Sequence, residues 1–203
     1  MEQEKVWDKI VSPWQNFRQK QILESLEFVT GKKGKILDLG CGAGRNFVKS
    51  KDLEFYGIDF SKKMLELAKK YAKKGEINIK LKKSSVDKIP FDDNFFDIAI
   101  FIAVLHCVDS AEKREKAIEE LFRVLKPKGE ALISTWSRNQ KRIKNKPKEC
   151  FIPWTVGEKK YMRYTYIYDK NELEKEIKKA GFEIVKSWED KNINVIVRKP
   201  IFS

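Results

Sequence analysis

The chain has 203 residues, 41% of them hydrophobic, which suits one folded domain over 1–203 with a sizeable core. No apolar run approaches the roughly 20 residues of a membrane span, and Met1-Glu2-Gln3-Glu4-Lys5 lacks a charged-then-apolar leader, so a cytoplasmic protein is expected. The formal charge is +13, from 43 basic against 30 acidic residues; such a field attracts polyanions, and heat adaptation, which also enriches Lys and Glu, predicts balanced charge instead. A nucleic-acid partner is therefore expected. The three cysteines (41, 107 and 150) form no Cys-x-x-Cys pair and His106 is the single histidine, so neither a protein-only metal site nor a disulfide framework is expected.

In chain order, residues 4–30 read as mainly helical, interrupted at Ser12-Pro13, with Ile22, Leu23, Leu26 and Phe28 as the apolar face of the second part. Gly31-Lys32-Lys33-Gly34 turns into a first strand, Lys35–Leu39. Its end, Asp38-Leu39-Gly40-Cys41-Gly42-Ala43-Gly44, is a glycine-rich turn expected to run into a helix. A second strand, Phe55–Asp59, closes on an acid about 20 residues later, the nucleotide-binding layout of an open α/β sheet. The glycines let backbone approach a ligand or adopt positive φ, and Asp59 is placed to accept from ribose hydroxyls. Ser61 caps a helix to about Lys74. Ile77–Leu81 alternates as a half-exposed edge strand, and Phe95–Val104 is a buried parallel strand. A helix over 111–125 turns inward Ile118, Leu121, Phe122 and Leu125. Lys128-Gly129 leads to the strand Glu130–Trp136. Residues 137–162 break the pattern: 138–148 carries Arg138, Lys141, Arg142, Lys144, Lys146 and Lys148 with no acid and no helical or strand period. A helix Asn171–Ala180 stops at Gly181. Strands 182–188 and 192–198 follow, with a hairpin turn near Asp190-Lys191.

The order strand, D-x-G-x-G-x-G, helix, strand, acid resembles the class I S-adenosylmethionine-dependent methyltransferases. A dinucleotide enzyme is the competing reading, but Arg45-Asn46-Phe47 stands where such enzymes more often carry a third glycine. The resemblance implies an α/β Rossmann-like seven-stranded sheet, order 3-2-1-4-5-7-6 with strand 7 antiparallel, and helices on both faces. It also implies S-adenosylmethionine as cofactor. Asp38, Gly40, Cys41, Gly42 and Gly44 serve its methionine end and Asp59 its ribose. Phe60 and Met64 pack on adenine, with Ser85 and Val86 at the adenine edge and Ile102 also in the site. Ser85 replaces an aspartate frequent in the superfamily and accepts more weakly. Cys41 reads as a small loop residue. Cys107 reads as a small buried residue or as a nucleophile of the cytosine-5 type, although that family has Pro-Cys where this chain has His106-Cys107.

Enzymes that methylate base amines carry Asn/Asp-Pro-Pro-Tyr/Phe after the fourth strand; this chain has Ala103-Val104-Leu105-His106. Ile102–His106, Ala131–Trp136, Phe151-Ile152-Pro153-Trp154, Arg163-Tyr164-Thr165-Tyr166 and Asp190-Lys191-Asn192 together resemble the tRNA wobble-uridine carboxymethyl methyltransferases, over nearly the whole chain. Two departures stand out: Cys107 replaces a second histidine, and Asp190-Lys191-Asn192-Ile193 replaces Arg-Asp-Asn-Trp. The resemblance implies esterification of the carboxylate of 5-carboxymethyluridine. Arg18 and Arg163 are the candidates for holding that carboxylate, with His106 and Trp136 lining the site. Arg18 equally suits the cofactor's carboxylate, Arg163 a tRNA phosphate, His106 a packed structural role and Trp136 the core. Segment 137–168 is then the substrate-side insert, its basic loop meets the tRNA anticodon region, and a small zinc-binding activator protein adds a strand at 77–81. A quinone-biosynthesis type of small-molecule methyltransferase and a binding module without turnover are the other readings.

Overall fold

The computed structural model describes residues 3–17 and 20–201, with 12–17 described by backbone alone. In chain order the elements are α1 (Gln3–Phe17), α2 (Leu23–Val29), β1 (Gly34–Leu39), β2 (Leu53–Asp59), α3 (Lys62–Lys74), β3 (Ile79–Lys83), β4 (Phe96–Ile102), a 3-10 turn (Leu105–Cys107), α4 (Ala111–Val124), β5 (Leu125–Trp136), β6 (Glu149–Val156), β7 (Lys159–Tyr166), α5 (Lys170–Lys179), β8 (Glu183–Glu189) and β9 (Asn192–Arg198). Seven strands form one sheet in the order β3-β2-β1-β4-β5-β9-β8. β9 runs antiparallel to β5 and β8, and the remaining pairs are parallel, so the expected sheet is present. Strand side chains alternate between two faces. Ile36, Phe55, Ile98, Ile100 and Leu132 pack with Phe28 and Val29 of α2 and Ala68 of α3. Leu37, Tyr56, Ala99, Phe101 and Ile133 pack with Ile118 and Leu121 of α4 and Leu173 and Ile177 of α5.

Several boundaries differ from the sequence reading, each for a local reason. α1 continues through Ser12-Pro13. A proline inside a helix costs about 3 kcal/mol, and burial of Val6, Ile10 and Val11 offsets it. In α2 the inward stripe is Ser25, Phe28 and Val29, at i, i+3 and i+4, which leaves Leu23 and Leu26 outside at 64% and 38% exposure. No helix follows the glycine-rich turn: 45–52 is turns and irregular chain. The fully buried Phe47 fills the space a helix would cover, edge-on to Phe55 at 5.6 Å. Ser50 Oγ accepts from the Asp52 and Leu53 amides at 3.1 and 3.2 Å and delivers the chain to β2. β3 starts at Ile79 because the Ile77 amide donates to Ala72 O at 2.9 Å, ending α3. β5 starts earlier than expected, with Leu125 opposite Phe96 and an irregular register across Lys128-Gly129.

The largest difference is a second, two-stranded sheet. β6 and β7 pair antiparallel just after the basic stretch that shows no period in sequence, where no strand was expected, and Gly157 turns between them at φ +59°. In β7 the last four residues, Arg163, Tyr164, Thr165 and Tyr166, are all buried, so the strand is covered on both faces although its residue types alternate. α1 lies on this hairpin, and Gln3 Oε1 accepts from the Tyr164 amide at 3.0 Å. Arg114 of α4 ties the other side: it donates to Val108 O at 3.0 Å and the Tyr164 hydroxyl at 3.1 Å, with its guanidinium 3.8 Å from the Tyr166 ring centre. Arg114→Met keeps the stem but removes both hydrogen bonds. It is expected to lower stability by about 1.5–3 kcal/mol, the range for hydrogen bonds to charged groups, read as a shift in the urea unfolding midpoint at unchanged slope.

Candidate active site

All parallel strands end at one edge of the sheet, and the loops leaving β1, β2, β4 and β5 surround a cavity of about 490 Å³. Gly40, Cys41 and Gly42 line it after β1, Asp59 and Phe60 after β2, Ile102 to Val104 and His106 after β4, and Trp136 after β5. Met64, Ser85 and Val86 also line it. Gly40 sits at φ +76° with Val104 so close that a Cβ would lie 2.5 Å from it; Gly42, at φ +52°, faces open space where a Cβ would meet nothing within 4 Å. The turn is thus packed on one side and open toward the cavity on the other. Ala103, a non-glycine residue at φ +59°, holds a strained conformation at the same edge, with its amide bonded to Ser134 O at 2.8 Å.

Asp59 accepts from the Gly42 amide through one oxygen and the Ser61 amide through the other, both at 2.9 Å. Burial raises its carboxyl from 3.8 to about 6, against the pull of those two amides. Ser61 caps α3 by accepting from the Met64 amide at 3.1 Å and donates to Asp8 of α1 at 2.5 Å, which locks α1 to the floor of the site. Asp38 does not line the cavity. It lies behind the glycine turn, with burial raising it to about 7, and its Oδ2 has no hydrogen-bond partner among the described residues. Gly44 is also set back: its amide bonds to Cys41 O at 2.9 Å, and a Cβ there would strike Phe47 and the Ala68 backbone, so its place is in helix–loop packing. Arg18 lies outside the described residues.

His106, Trp136 and Arg163 come together at the other end of the cavity. His106 is buried, its Nδ1 3.1 Å from Thr135 Oγ1 and its ring stacked on Trp136 at 4.4 Å. Arg163, only 3% exposed, lies among three indoles: Trp154 at 5.1 Å, Trp7 at 5.7 Å and Trp136 at 5.9 Å. Burial pushes the Cys107 thiol up to about 12 although Arg163 and Arg142 pull it down. At neutral pH it is a protonated thiol, which disfavours the nucleophile reading. The sequence reading missed Trp7, Gln140 and Arg142 as lining residues. Arg142 belonged to the segment read as a patternless basic loop. In the structure, the fully buried Ile143 pins that loop in a cluster with Trp136, Ile152 and Ile167. Arg138 bonds to Lys146 O at 2.9 Å, and Lys148 pairs with Glu172 at 2.8 Å.

Residues 30–181 match the family described as "Methyltransferase domain". The chain belongs to this methyltransferase family. It is 35% identical over 127 residues to a tRNA (carboxymethyluridine(34)-5-O)-methyltransferase of Arabidopsis thaliana, covering 63% of this chain but only 29% of that relative. A protein of the same name from Schizosaccharomyces pombe is 26% identical over 218 residues, covering 92% of this chain and 91% of that one. Among solved structures, an S-adenosylmethionine-dependent methyltransferase from Clostridium acetobutylicum superposes with a TM-score of 0.73 at 13% identity, covering 96% of this chain and 99% of that one. One from Methanosarcina mazei gives 0.71 at 22% identity, covering 89% and 99%. The fold of this methyltransferase is therefore that of the class I S-adenosylmethionine-dependent enzymes.

The residues present fit that cofactor. The open side of Gly42 leaves room for a ligand against backbone, the Asp59 carboxylate faces the same space, and the orphaned Asp38 oxygen lies behind the turn. Asp59→Ala should weaken binding of S-adenosylhomocysteine by about 1.5–3 kcal/mol in calorimetry. The pH dependence has a definite sign. Asp59 is ionised above about 6 and protonated below it, so affinity should fall as the pH drops from about 7.5 to about 5, and Asp59→Asn should flatten that limb.

Proposed function

We propose that this methyltransferase esterifies the carboxylate of 5-carboxymethyluridine at the wobble position of tRNA, with S-adenosylmethionine as methyl donor. The observation that carries the reading is Arg163, a buried guanidinium among Trp7, Trp136 and Trp154, in the same cavity as the Gly40–Gly42 turn and Asp59. A desolvated cation at the acceptor end favours an anionic acceptor, and its planar fork matches a carboxylate. The activity named for the Arabidopsis and fission-yeast relatives supports the same substrate, as does the +13 charge of the chain. A quinone-type acceptor would find two guanidinium groups, Arg142 and Arg163, in its pocket.

When bound, S-adenosylmethionine supplies a methyl activated by a sulfonium and leaves as the neutral thioether. The chain's own task is positioning. A carboxylate has a reference pKa near 4 and is already ionised, so no group of the site has to remove a proton. Arg163 holds the acceptor, the indoles of Trp7 and Trp136 wall it from water, and His106, bonded to Thr135, braces Trp136. Orientation in a dry, preorganised pocket is then the main source of rate. Arg163→Ala should cost turnover far more than His106→Ala. The decisive measurement is nucleoside mass spectrometry after reaction with carboxymethylated tRNA. The expected product gains one methyl, which mild alkali removes; an alkali-stable methyl on tRNA, or label only in a small molecule, would falsify the ester reading.

The proposal includes a small zinc-binding activator protein at β3. That strand is outermost in the sheet, and an open edge is a template for strand addition. Lys80 and Lys82, whose charges would otherwise guard it, are tied to Glu54 at 2.5 Å and Pro90 O at 3.0 Å. Co-expression should give a complex and a gain in solubility or activity; the absence of both would remove this component.

A further inference from the structure

The acceptor end of the cavity holds a second arginine that the reading of Arg163 does not use. Arg142 lines the cavity, with its Cζ 3.8 Å from the centre of the Trp136 ring that also stacks on His106. A guanidinium lying on an aromatic face directs its N–H donors along its edges. Its position is held from both sides along the chain. Arg142 Nε donates to Gln140 Oε1 at 3.2 Å, and Gln140 Nε2 donates to Lys191 O at 2.7 Å and Asn192 Oδ1 at 3.2 Å, which fastens the loop to the β8–β9 turn. The next residue, Ile143, is fully buried. Arg163 and Arg142 both pull on the Cys107 thiol, so their charges converge on one stretch of wall. Four acids line the cavity, Glu4, Asp59, Asp87 and Asp109; Glu4 pairs with Lys83 at 2.8 Å, Asp109 with Lys113 at 2.9 Å, and Asp59 with the glycine turn. Lys141, Arg142, Lys144 and Lys146 are all exposed, but of the four only Arg142 lines the cavity.

We infer that Arg142 is the specificity-determining residue of the acceptor site: with Arg163, at the same Trp136 ring, it clasps the anionic group of the acceptor, while Lys141, Lys144 and Lys146 of the same loop meet only phosphates. The inference rests on the carboxylate reading above and divides the basic loop by role. One arginine reads the chemistry of the modified base, and three lysines supply affinity without discrimination.

The test compares binding of two anticodon stem-loops, one bearing 5-carboxymethyluridine at the wobble position and one bearing its carbamoylmethyl amide, by fluorescence anisotropy. The panel is the parent protein, Arg142→Gln, Arg142→Lys and the triple variant Lys141→Ala, Lys144→Ala, Lys146→Ala. The parent should prefer the acid by about tenfold or more, the worth of a charge-assisted hydrogen bond. Arg142→Gln should abolish the preference, and Arg142→Lys should restore part of it. The triple variant should weaken both ligands alike, flatten the salt slope and keep the preference. Calorimetry with S-adenosylhomocysteine should show the cofactor site intact in every variant. Retention of the full acid preference in Arg142→Gln, or its loss in the triple lysine variant, overturns the inference. Its failure is separable from that of the ester reading: if the parent forms the alkali-labile product while Arg142→Gln discriminates as the parent does, only the inference falls. A parent that forms no ester and shows no preference removes both.

Discussion

The strand β1 pairs in parallel with β2 on one side and β4 on the other, and the rest of the site depends on that arrangement. The chain leaves β1 outward to β2 and β3, then returns across the sheet to β4, so the loops after β1 and β4 diverge and open a crevice at the strand ends. At the base of the crevice they touch, Gly40 against Val104, where a Cβ has no room. Because every parallel strand ends at this edge, Asp59 from β2 and Ser134 to Trp136 from β5 arrive there without any further device. The antiparallel β9 begins at the same edge, which brings in Asn192. One topological rule thus gathers residues more than 130 positions apart.

The cavity divides into two electrostatic halves. At the glycine turn, buried carboxyls dominate, and desolvation raises Asp38 to about 7 and Asp59 to about 6. At the other end, guanidinium groups dominate, set against indoles. Each half bears a desolvation cost that an apolar wall would not. Cation–π contacts and short backbone hydrogen bonds offset part of it. The two halves thus differ in charge, acidic at the glycine turn and basic at Trp136.

The β6–β7 hairpin converts an open sheet edge into an enclosed site. It brings Arg163 and Trp154 over the strand ends, and α1 closes against it with Trp7 and Gln3. Arg114, Tyr164, Tyr166 and Glu172 anchor its far side, with Lys148 joining the basic loop to the same network. The loop that bears Arg142 is therefore ordered by packing around Ile143, although its composition resembles a solvated tether.

The nucleotide-binding half was legible in the chain itself. A strand ending in Asp38-x-Gly40-x-Gly42 and a second ending in Asp59 form a local pattern, because backbone approach needs glycine and hydroxyl recognition needs an acid at fixed separations. Those constraints act within some 20 residues, and the sheet order was what the family resemblance carried by those residues implied. The acceptor half was only partly legible. His106, Trp136 and Arg163 were singled out by likeness of short segments, yet nothing in sequence shows that Trp7, Trp154 and Arg142 surround them, since those contacts join α1, β6 and the basic loop across the whole chain. The hairpin was illegible for a physical reason: Pro153 inside β6 argues against a strand, and in β7 Arg163 and Thr165 are covered as fully as Tyr164 and Tyr166, a burial that polar residue types do not announce. The missing helix after Gly44 has a separate cause, since a glycine turn predicts one but the fully buried Phe47 fills its place. Sequence alone determined the sheet and the chemistry of its glycine turn. Tertiary packing alone decided that Arg163 is desolvated among indoles and that Arg142 reaches the cavity wall, because both depend on contacts between segments far apart in the chain.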